Sequence, residues 1–298
     1  MTILRANQRK QLQEGLNAVV GLTYTQWPEM WRDIFMEEQS NKAYEEEVMH
    51  TGLSGGTEKA EGASIEYDDM YETYVSRYFH STIVKAVAIT EEAVEDNLYM
   101  SVGAKIAAAM TRSMLYTKEL RRANVLNYAF NSSYTGGDGV ELLSTVHPLG
   151  DGGTLSNTLA TPAQFSEAAI EELAIQVADW VDERGIPVRA QFKKAILPTA
   201  LQFVATRVLN SPYQVDTSDN NLNALKELGT IPGFSINRYL SDPAKWFVVT
   251  DVPDGLKAFR RAALKKGLEG DFETGNLRYK IRERYSQGWS NPRGVAGS

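Results

Sequence analysis

The sequence predicts a mixed α+β fold, and three observations support this. Residues 91–131 form a single long span suited to a helix, because the span contains no proline and one glycine. Residues 63–90 and 255–290 are rich in strand-forming side chains. Residues 158–211 read as helix, strand and helix.

Composition narrows the functional classes. The chain has 298 residues and a net charge of −7, which disfavours a uniformly basic nucleic-acid-binding surface. It contains no cysteine, which excludes disulfides and thiolate metal sites, and its three histidines are widely spaced. No stretch reaches the roughly 20 apolar residues that span a bilayer, and the first residues lack the core of a signal peptide. We therefore expect no metal, cofactor, membrane partner or enzymatic activity, and a cytosol-like compartment.

Residues 1–51 are predicted to form an arm. Trp27, Trp31 and Phe35 are spaced i, i+4, i+8, which would place three aromatic rings on one face of a helix. Such a face either packs on its own domain or docks on another subunit.

Residues 52–90 are predicted to form an extended β loop. Residues 51–62 are glycine-rich and polar, which is typical of a loop tip. The following residues alternate in the manner of strands, from Val75 to Ile89. An isolated two-stranded hairpin is marginal in water, so this excursion needs a surface on which to lie.

The span 91–131 would be about 60 Å long as a helix. Its only glycine, Gly103, is a candidate point of bending. Thr161 followed by Pro162 indicates the start of a later helix. Near the end of the chain Leu277, Tyr279 and Ile281 alternate with Arg278, Lys280 and Arg282, which predicts a strand with one apolar and one basic face.

Ser144, His147 and Asp151 lie close together in a glycine-rich loop. A catalytic triad is defined by geometry and is usually assembled from distant segments. No nucleophile elbow, phosphate-binding loop or dinucleotide fingerprint is present. We expect His147 to fix the loop by hydrogen bonds; a cytosolic hydrolase using Ser144 and His147 remains a rival hypothesis.

Charge is distributed unevenly along the chain. Acidic residues cluster in the first third and basic residues in the last third. Opposite patches of this kind suit head-to-tail contact between identical copies. The alternative is that they pair within one subunit or face solvent.

The order of these elements, from arm to β loop, long helix, α/β unit and closing strands, resembles the major capsid proteins of tailed bacteriophages, which have the HK97-like fold. The stretch ELLSTVHPLGDGGTLSN is similar to a loop in Mu-like major head subunits, and the ending YSQGWSNPRGV is similar to the end of such shell proteins. The resemblance implies an arm (1–51), an extended loop (52–90), a peripheral domain with a spine helix (91–134 and 251–298) and an axial domain (135–250).

The resemblance also implies self-assembly into hexamers and pentamers of an icosahedral shell around double-stranded DNA, in a virion capsid assembled in the host cytoplasm. A portal is implied, and a separate scaffolding protein, because the arm is too short and aromatic for a built-in scaffold; decoration proteins are left open. An encapsulin-like compartment that holds protein cargo is the nearest alternative. Lys59 lies in the loop tip, but no matching asparagine context is found, so we predict no crosslink.

The residues that we expect to contact other subunits come from the arm, the loop and the closing strands. They are Trp27, Trp31, Phe35, Lys59, Glu66, Asp68, Asp69, Arg260, Arg261, Arg278 and Arg282.

Overall fold

Two sheets organise the computed structural model, which describes residues 5–62, 64–90, 99–214, 221–270 and 276–298. The first sheet has the strand order β1-β10-β11-β4. Its strands are β1 (Met36–Gln39), β4 (Ser81–Ile89), β10 (Leu256–Gly270) and β11 (Leu277–Trp289). β1 runs parallel to β10, and the other neighbours are antiparallel.

Two helices cover one face of this sheet. They are α1 (Arg5–Gln26) and α2 (Tyr99–Asn127). Leu16 and Val20 of α1 and Met110 and Met114 of α2 are buried in one apolar cluster with the sheet. Leu277, Tyr279 and Ile281 of β11 join that cluster, while Arg278, Lys280 and Arg282 are exposed. The predicted alternation along β11 is therefore confirmed.

The predicted long helix is present as α2, which is about 43 Å long at 1.5 Å per residue. It ends at Asn127 rather than near 131, and the predicted beginning at 91–98 lies outside the described residues. The helix passes through Gly103 without interruption, and a Cβ placed there would be 3.6 Å from Leu16 Cδ2. Bending at Gly103 remains a prediction.

The second sheet has the strand order β12-β9-β7-β8. Its strands are β7 (Phe192–Leu197), β8 (Phe234–Ile236), β9 (Phe247–Thr250) and β12 (Val295–Gly297). The helices α3 (Glu167–Ala178), α4 (Gln202–Asn210) and α5 (Ala224–Glu227) belong to this second lobe. They pack with the sheet around Ile170, Leu173, Leu197 and Trp246.

The helix α3 begins later than the sequence indicates. Ser166 is its N-cap and accepts a hydrogen bond from the Ala169 N–H at 3.3 Å, whereas Thr161 and Pro162 precede the helix. Ser166 with Glu167 in the first turn is also a good helix start. The helix start predicted at Thr161–Pro162 was therefore wrong.

A ribbon projects from the first lobe. We use this word for residues 44–79, which comprise β2 (Tyr44–His50), β3 (Glu72–Phe79) and the connecting tip 51–71. β2 and β3 pair antiparallel, and β4 pairs with β11 instead. The excursion thus spans 44–79 rather than the predicted 52–90, because strand propensity identifies strands but not their partners.

The predicted domain boundaries differ from the structure at both ends of the chain. β1, within the predicted arm, is part of the first sheet, and β12, within the predicted 251–298 segment, is part of the second. The chain also contains the short strands β5 (His147–Pro148) and β6 (Thr154–Leu155) and the 3₁₀ turns Met30–Asp33, Thr199–Leu201 and Pro292–Gly294. Among the described helices, none combines the length and apolarity needed to cross a membrane.

Candidate functional site

The histidine loop is a structural element. His147 Nδ1 lies 2.6 Å from Asp138 Oδ2, and both side chains are buried. Ser144 is buried and its backbone N–H donates to Asn157 Oδ1 at 2.9 Å, while Asp151 is exposed. His147 therefore pairs with Asp138 rather than with Ser144 or Asp151, which confirms the expected loop-fixing role. No group of side chains suited to hold a metal ion occurs in the described part of the chain.

The aromatic residues of the arm lie in a different arrangement from the predicted helix face. Trp31 belongs to the 3₁₀ turn Met30–Asp33, and Phe35 follows it just before β1. Trp31 is 1% exposed and Phe35 is 5% exposed, and both belong to the apolar cluster between the two lobes. Their expected contact with another subunit is therefore wrong, because their surface is already buried within the chain. Trp27 is half-buried and stays a candidate.

Sequence reasoning missed a set of charges buried beneath Trp31. The guanidinium carbon of Arg122 lies 3.5 Å from the centre of the Trp31 ring, and Arg122 is completely buried. The neighbouring Lys118 Nζ lies 3.6 Å from Glu29 and 3.9 Å from Glu283. From the sequence, Lys118 and Arg122 could be interpreted only as cations near the C-terminal end of a helix, where the helix dipole favours positive charge. A spacing of four residues was the available sign that they share one face.

Glu119 attaches the arm to α2. Its Oε1 accepts the backbone N–H of Met30 at 3.0 Å, at the start of the 3₁₀ turn. The residue is 2% exposed, and its Oε2 has no hydrogen-bond partner in the described structure. Burial raises the pKa of Glu119 to about 7, although the bond from Met30 opposes this.

The base of the ribbon is fixed to its own lobe by polar contacts. Lys257 forms ion pairs with Glu47, with Asp254 at 2.7 Å and with Glu38 at 3.3 Å. The Tyr74 hydroxyl donates to the Ser290 carbonyl at 3.0 Å. Part of the acidic first third is thus paired within the chain, which is the alternative left open by the sequence.

The tip of the ribbon carries apolar and acidic side chains that project into solvent. Its exposed apolar residues are Leu53, Ile65, Tyr67, Met70 and Tyr71, and Tyr67 is 91% exposed. Lys59, Glu66 and Asp69 are also exposed. A cluster of exposed large apolar side chains on a narrow projection is typical of a docking element.

One predicted contact residue in the tip has partners in its own chain. Asp68 Oδ2 accepts hydrogen bonds from the Ser54 N–H at 2.6 Å and hydroxyl at 2.7 Å, and Asp68 Oδ1 lies 3.6 Å from Arg184. The two bonds from Ser54 hold the pKa of the Asp68 carboxyl below its usual range. Arg184 also donates to the Asp69 carbonyl at 2.6 Å. These contacts shape the tip and place it beside the second lobe.

The uncovered face of the first sheet is basic. Arg282 of β11 is paired in register with Lys265 of β10 and with Val84 of β4. The next exposed position, Lys280, lies 3.3 Å from Glu269 and is in register with Ala86. Since α1 and α2 cover only the opposite face, this surface combines cations with small apolar side chains.

Arg260 and Arg261 of β10 have different surroundings from Lys280 and Arg282. The Arg261 Nε donates to the Lys42 carbonyl at 2.8 Å, so Arg261 supports the β1–β2 connection of its own chain. Arg260 lines a cavity of about 290 Å³ beneath α1, together with Lys118 and Arg122. Arg260 is in register with Tyr285, which shares the helix-facing side of β11 with Tyr279 and Ile281, so Arg260 does not belong to the basic face.

Several solved shell structures share this fold. The capsid of the empty GTA particle matches with a TM-score of 0.55 and 10% identity over 90% of this chain and 88% of that chain. The procapsid of bacteriophage JBD30 matches with a TM-score of 0.54 and 13% identity over 99% and 76%. The virus-like particle from Pyrococcus furiosus matches with a TM-score of 0.50 and 10% identity over 95% and 98%. At these identities the similarity establishes the fold alone.

The two lobes, the long helix and the projecting ribbon thus have the HK97-like fold. The family model described as phage capsid protein matches residues 73–298, which is more than half of the chain, and the chain belongs to that family. It is a structural protein of the capsid shell. None of the curated proteins compared with it matches its sequence.

Proposed function

We propose that the chain is the major head subunit that assembles, as hexamers and pentamers, into an icosahedral shell around double-stranded phage DNA. The observation that carries this proposal is the ribbon tip, whose apolar side chains are exposed in a single subunit. Burial of such side chains against other copies contributes roughly 25 cal/mol per Å² of apolar surface. Many such contacts on a closed lattice sum to a stable shell.

The tip and the basic sheet face are complementary surfaces. The tip offers Tyr67 and Met70 beside Glu66 and Asp69, and the sheet face offers Arg278 and Arg282 beside small apolar residues. We assign the tip of one copy to the sheet face of a neighbour. Complementary charge directs the encounter, and apolar burial supplies most of the affinity.

Further partners follow from the same proposal. The shell is assembled in the host cytoplasm on a separate scaffolding protein, receives a portal at one vertex and holds DNA without sequence-specific contacts. The net charge of −7 means that the subunit is not uniformly basic, which is consistent with a shell that encloses DNA without binding it tightly through every subunit.

Deletion of residues 52–70 tests the role of the tip. We expect a soluble subunit that does not form shells, because residues 52–70 supply no strand to either four-stranded sheet while their apolar surface is needed between copies. Negative-stain imaging measures assembly, and thermal melting of the subunit serves as the control for folding. Normal particles from a well-folded deletion variant would contradict this assignment.

An encapsulin-like compartment is the second candidate, because the virus-like particle from Pyrococcus furiosus shares the fold over nearly its whole chain. Purified particles distinguish the two functions. Nuclease-resistant DNA inside them supports the phage head, whereas a co-purifying enzyme cargo without DNA supports the compartment.

A further inference from the structure

His80 lies at the root of the ribbon. The chain leaves the first sheet after β1, where Ser40 is the first residue, and rejoins it at Ser81, the first residue of β4. His80 is the single residue between β3 and β4. Ser40 and His80 thus mark the two points at which the ribbon meets the sheet.

The imidazole ring connects these two points to the sheet. His80 Nε2 lies 2.9 Å from Ser40 Oγ, and His80 Nδ1 lies 3.0 Å from Ser286 Oγ. Ser286 is a buried residue of β11, the central strand next to β4. Both ring nitrogens are therefore engaged, one with the departing chain and one with the sheet.

Protonation changes what the ring can offer its two serine partners. A neutral imidazole has one N–H, so it donates to one serine hydroxyl and accepts the proton of the other. The Ser40 oxygen also accepts the Lys42 N–H at 3.3 Å. A doubly protonated ring can only donate, so the serine whose proton it accepted must turn its hydroxyl and lose that acceptor.

The charges around His80 also favour the neutral ring. Arg284 on β11 and Arg261 on β10 oppose a positive imidazole, while Glu45 favours it and is itself paired with Lys42 at 3.2 Å. Burial and then Arg284 hold the pKa of His80 below its usual value, against the opposing effect of Glu45. The latched arrangement is therefore fully stable above the ordinary histidine pKa of about 6.5 and loses stability as the pH falls through the lower value in the folded chain.

We propose that His80 is a proton-operated latch, which fixes the ribbon to the first sheet when it is neutral and releases the ribbon root when it is protonated. This inference goes beyond assembly into a shell. Its readout lies within one chain, so it can fail or succeed independently of the proposed function. One proton can change the balance between the closed and released states by at most about tenfold per pH unit.

Hydrogen exchange on the full chain tests the latch, with mass-spectrometric readout at pH 7.5 and 5.5 and correction for the intrinsic pH dependence of exchange. In the wild type we expect exchange in 44–50 and 72–79 to accelerate several-fold at pH 5.5, while exchange in α3 changes little. His80→Gln retains one donor and one acceptor but cannot titrate, so its ribbon should respond little to pH. His50→Gln is the matched control, because His50 is exposed on β2 and its loss should leave the acceleration intact.

Two results would overturn the latch: a wild-type ribbon whose corrected exchange is the same at both pH values, or a His80→Gln variant that accelerates as the wild type does. A titration of the wild type by NMR keeps the test decisive if His80→Gln does not fold. The chain has only three histidines, so their ring signals can be assigned by substitution. A His80 pKa equal to or above that of exposed His50 would also refute the proposal.

Discussion

At the scale of single residues, some charged side chains of this subunit are buried and have structural roles. Glu119 is an ionisable group in a helix, yet it is buried and accepts the Met30 N–H at the start of the arm's 3₁₀ turn. Arg122 is a cation, yet it lies against the Trp31 ring without solvent contact. A cation over an aromatic face gains most when both are desolvated. These residues hold the arm in place and belong to the core, not to a site of chemistry.

Glu119 gives the subunit a specific pH dependence. Its pKa is raised to about 7 in the folded chain, so between the ordinary carboxyl value and pH 7 the folded state binds the proton more tightly than the unfolded state. The contribution of Glu119 to the free energy of unfolding is therefore greatest below the ordinary carboxyl pKa and is lost as the pH rises through about 7. The full loss is on the order of 3 kcal/mol at 1.36 kcal/mol per pKa unit.

The Glu119→Gln variant tests this dependence by denaturant unfolding at pH 5 and pH 8. We expect the wild type to lose more stability over this range than Glu119→Gln, since the amide cannot ionise. Glu14→Gln is the control, because Glu14 is exposed on α1 and its replacement should leave the wild-type slope unchanged. Identical slopes for wild type and Glu119→Gln would show that this carboxyl does not titrate differently on folding.

At the scale of elements, the two faces of β11 have different surroundings. Leu277, Tyr279 and Ile281 are buried against α1 and α2, whereas the alternating Lys280 and Arg282 lie on the uncovered face. Strand alternation places these two sets on opposite sides of the sheet. Changes on the basic face should therefore alter contacts between copies without disturbing the core.

Reversal of two charges on this face tests the assigned contact. In Lys280→Glu/Arg282→Glu we expect loss of shells, because two acidic groups would face the acidic ribbon tip of a neighbour. The unfolding free energy should change by no more than about 0.5 kcal/mol per surface substitution. Assembly is measured by sedimentation velocity and stability by thermal melting.

Lys85→Glu provides a matched control within the same sheet. Lys85 is exposed on β4 and is in register with the helix-facing Ile281, so it lies on the opposite side from Lys280 and Arg282. It should retain assembly. Shell formation by the double variant at the wild-type level would remove the sheet face from the set of contacts.

At the scale of the whole molecule, the two lobes are joined where their backbones touch. Residues 251–255 connect β9 to β10, and residues 290–294 connect β11 to β12. These two connections touch at Gly255 and Gly294: a Cβ added to Gly255 would lie 2.7 Å from Gly294 Cα. Asp33 adds a polar contact, since it accepts from Lys194 Nζ and from the Ser235 hydroxyl, each at 2.6 Å. The relative position of the lobes therefore depends on close backbone packing.

Substitution of Gly255 by alanine tests this junction. The added methyl group meets backbone rather than a flexible side chain, so we expect a loss of about 1–3 kcal/mol, the usual cost of overpacking. Gly233→Ala is the control, because a Cβ there would meet no atom within 4 Å. Equal melting temperatures for the two variants would indicate that the junction yields easily.

Local sequence patterns determined the elements of this protein. The proline-free span and the strand alternation were sufficient to predict the α+β class, the long helix and the two faces of β11, whereas the shell fold was implied by the resemblance of the whole chain to a known family. The loop-fixing role of His147 also followed, because no catalytic partner pattern surrounds it. These features depend on neighbours in sequence, and helical and strand periodicity record such neighbours directly.

Only the tertiary structure decided which surfaces meet. It buried Trp31 and Phe35 in the subunit, moved the ribbon to 44–79, gave β12 to the second sheet and gathered Ser40, His80 and Ser286 at one root. Periodicity assigns a side chain to a face but does not identify the element that covers it. That choice depends on packing between segments far apart in sequence, such as Asn17 and Tyr279, which are 262 residues apart, and local propensity carries no information about it.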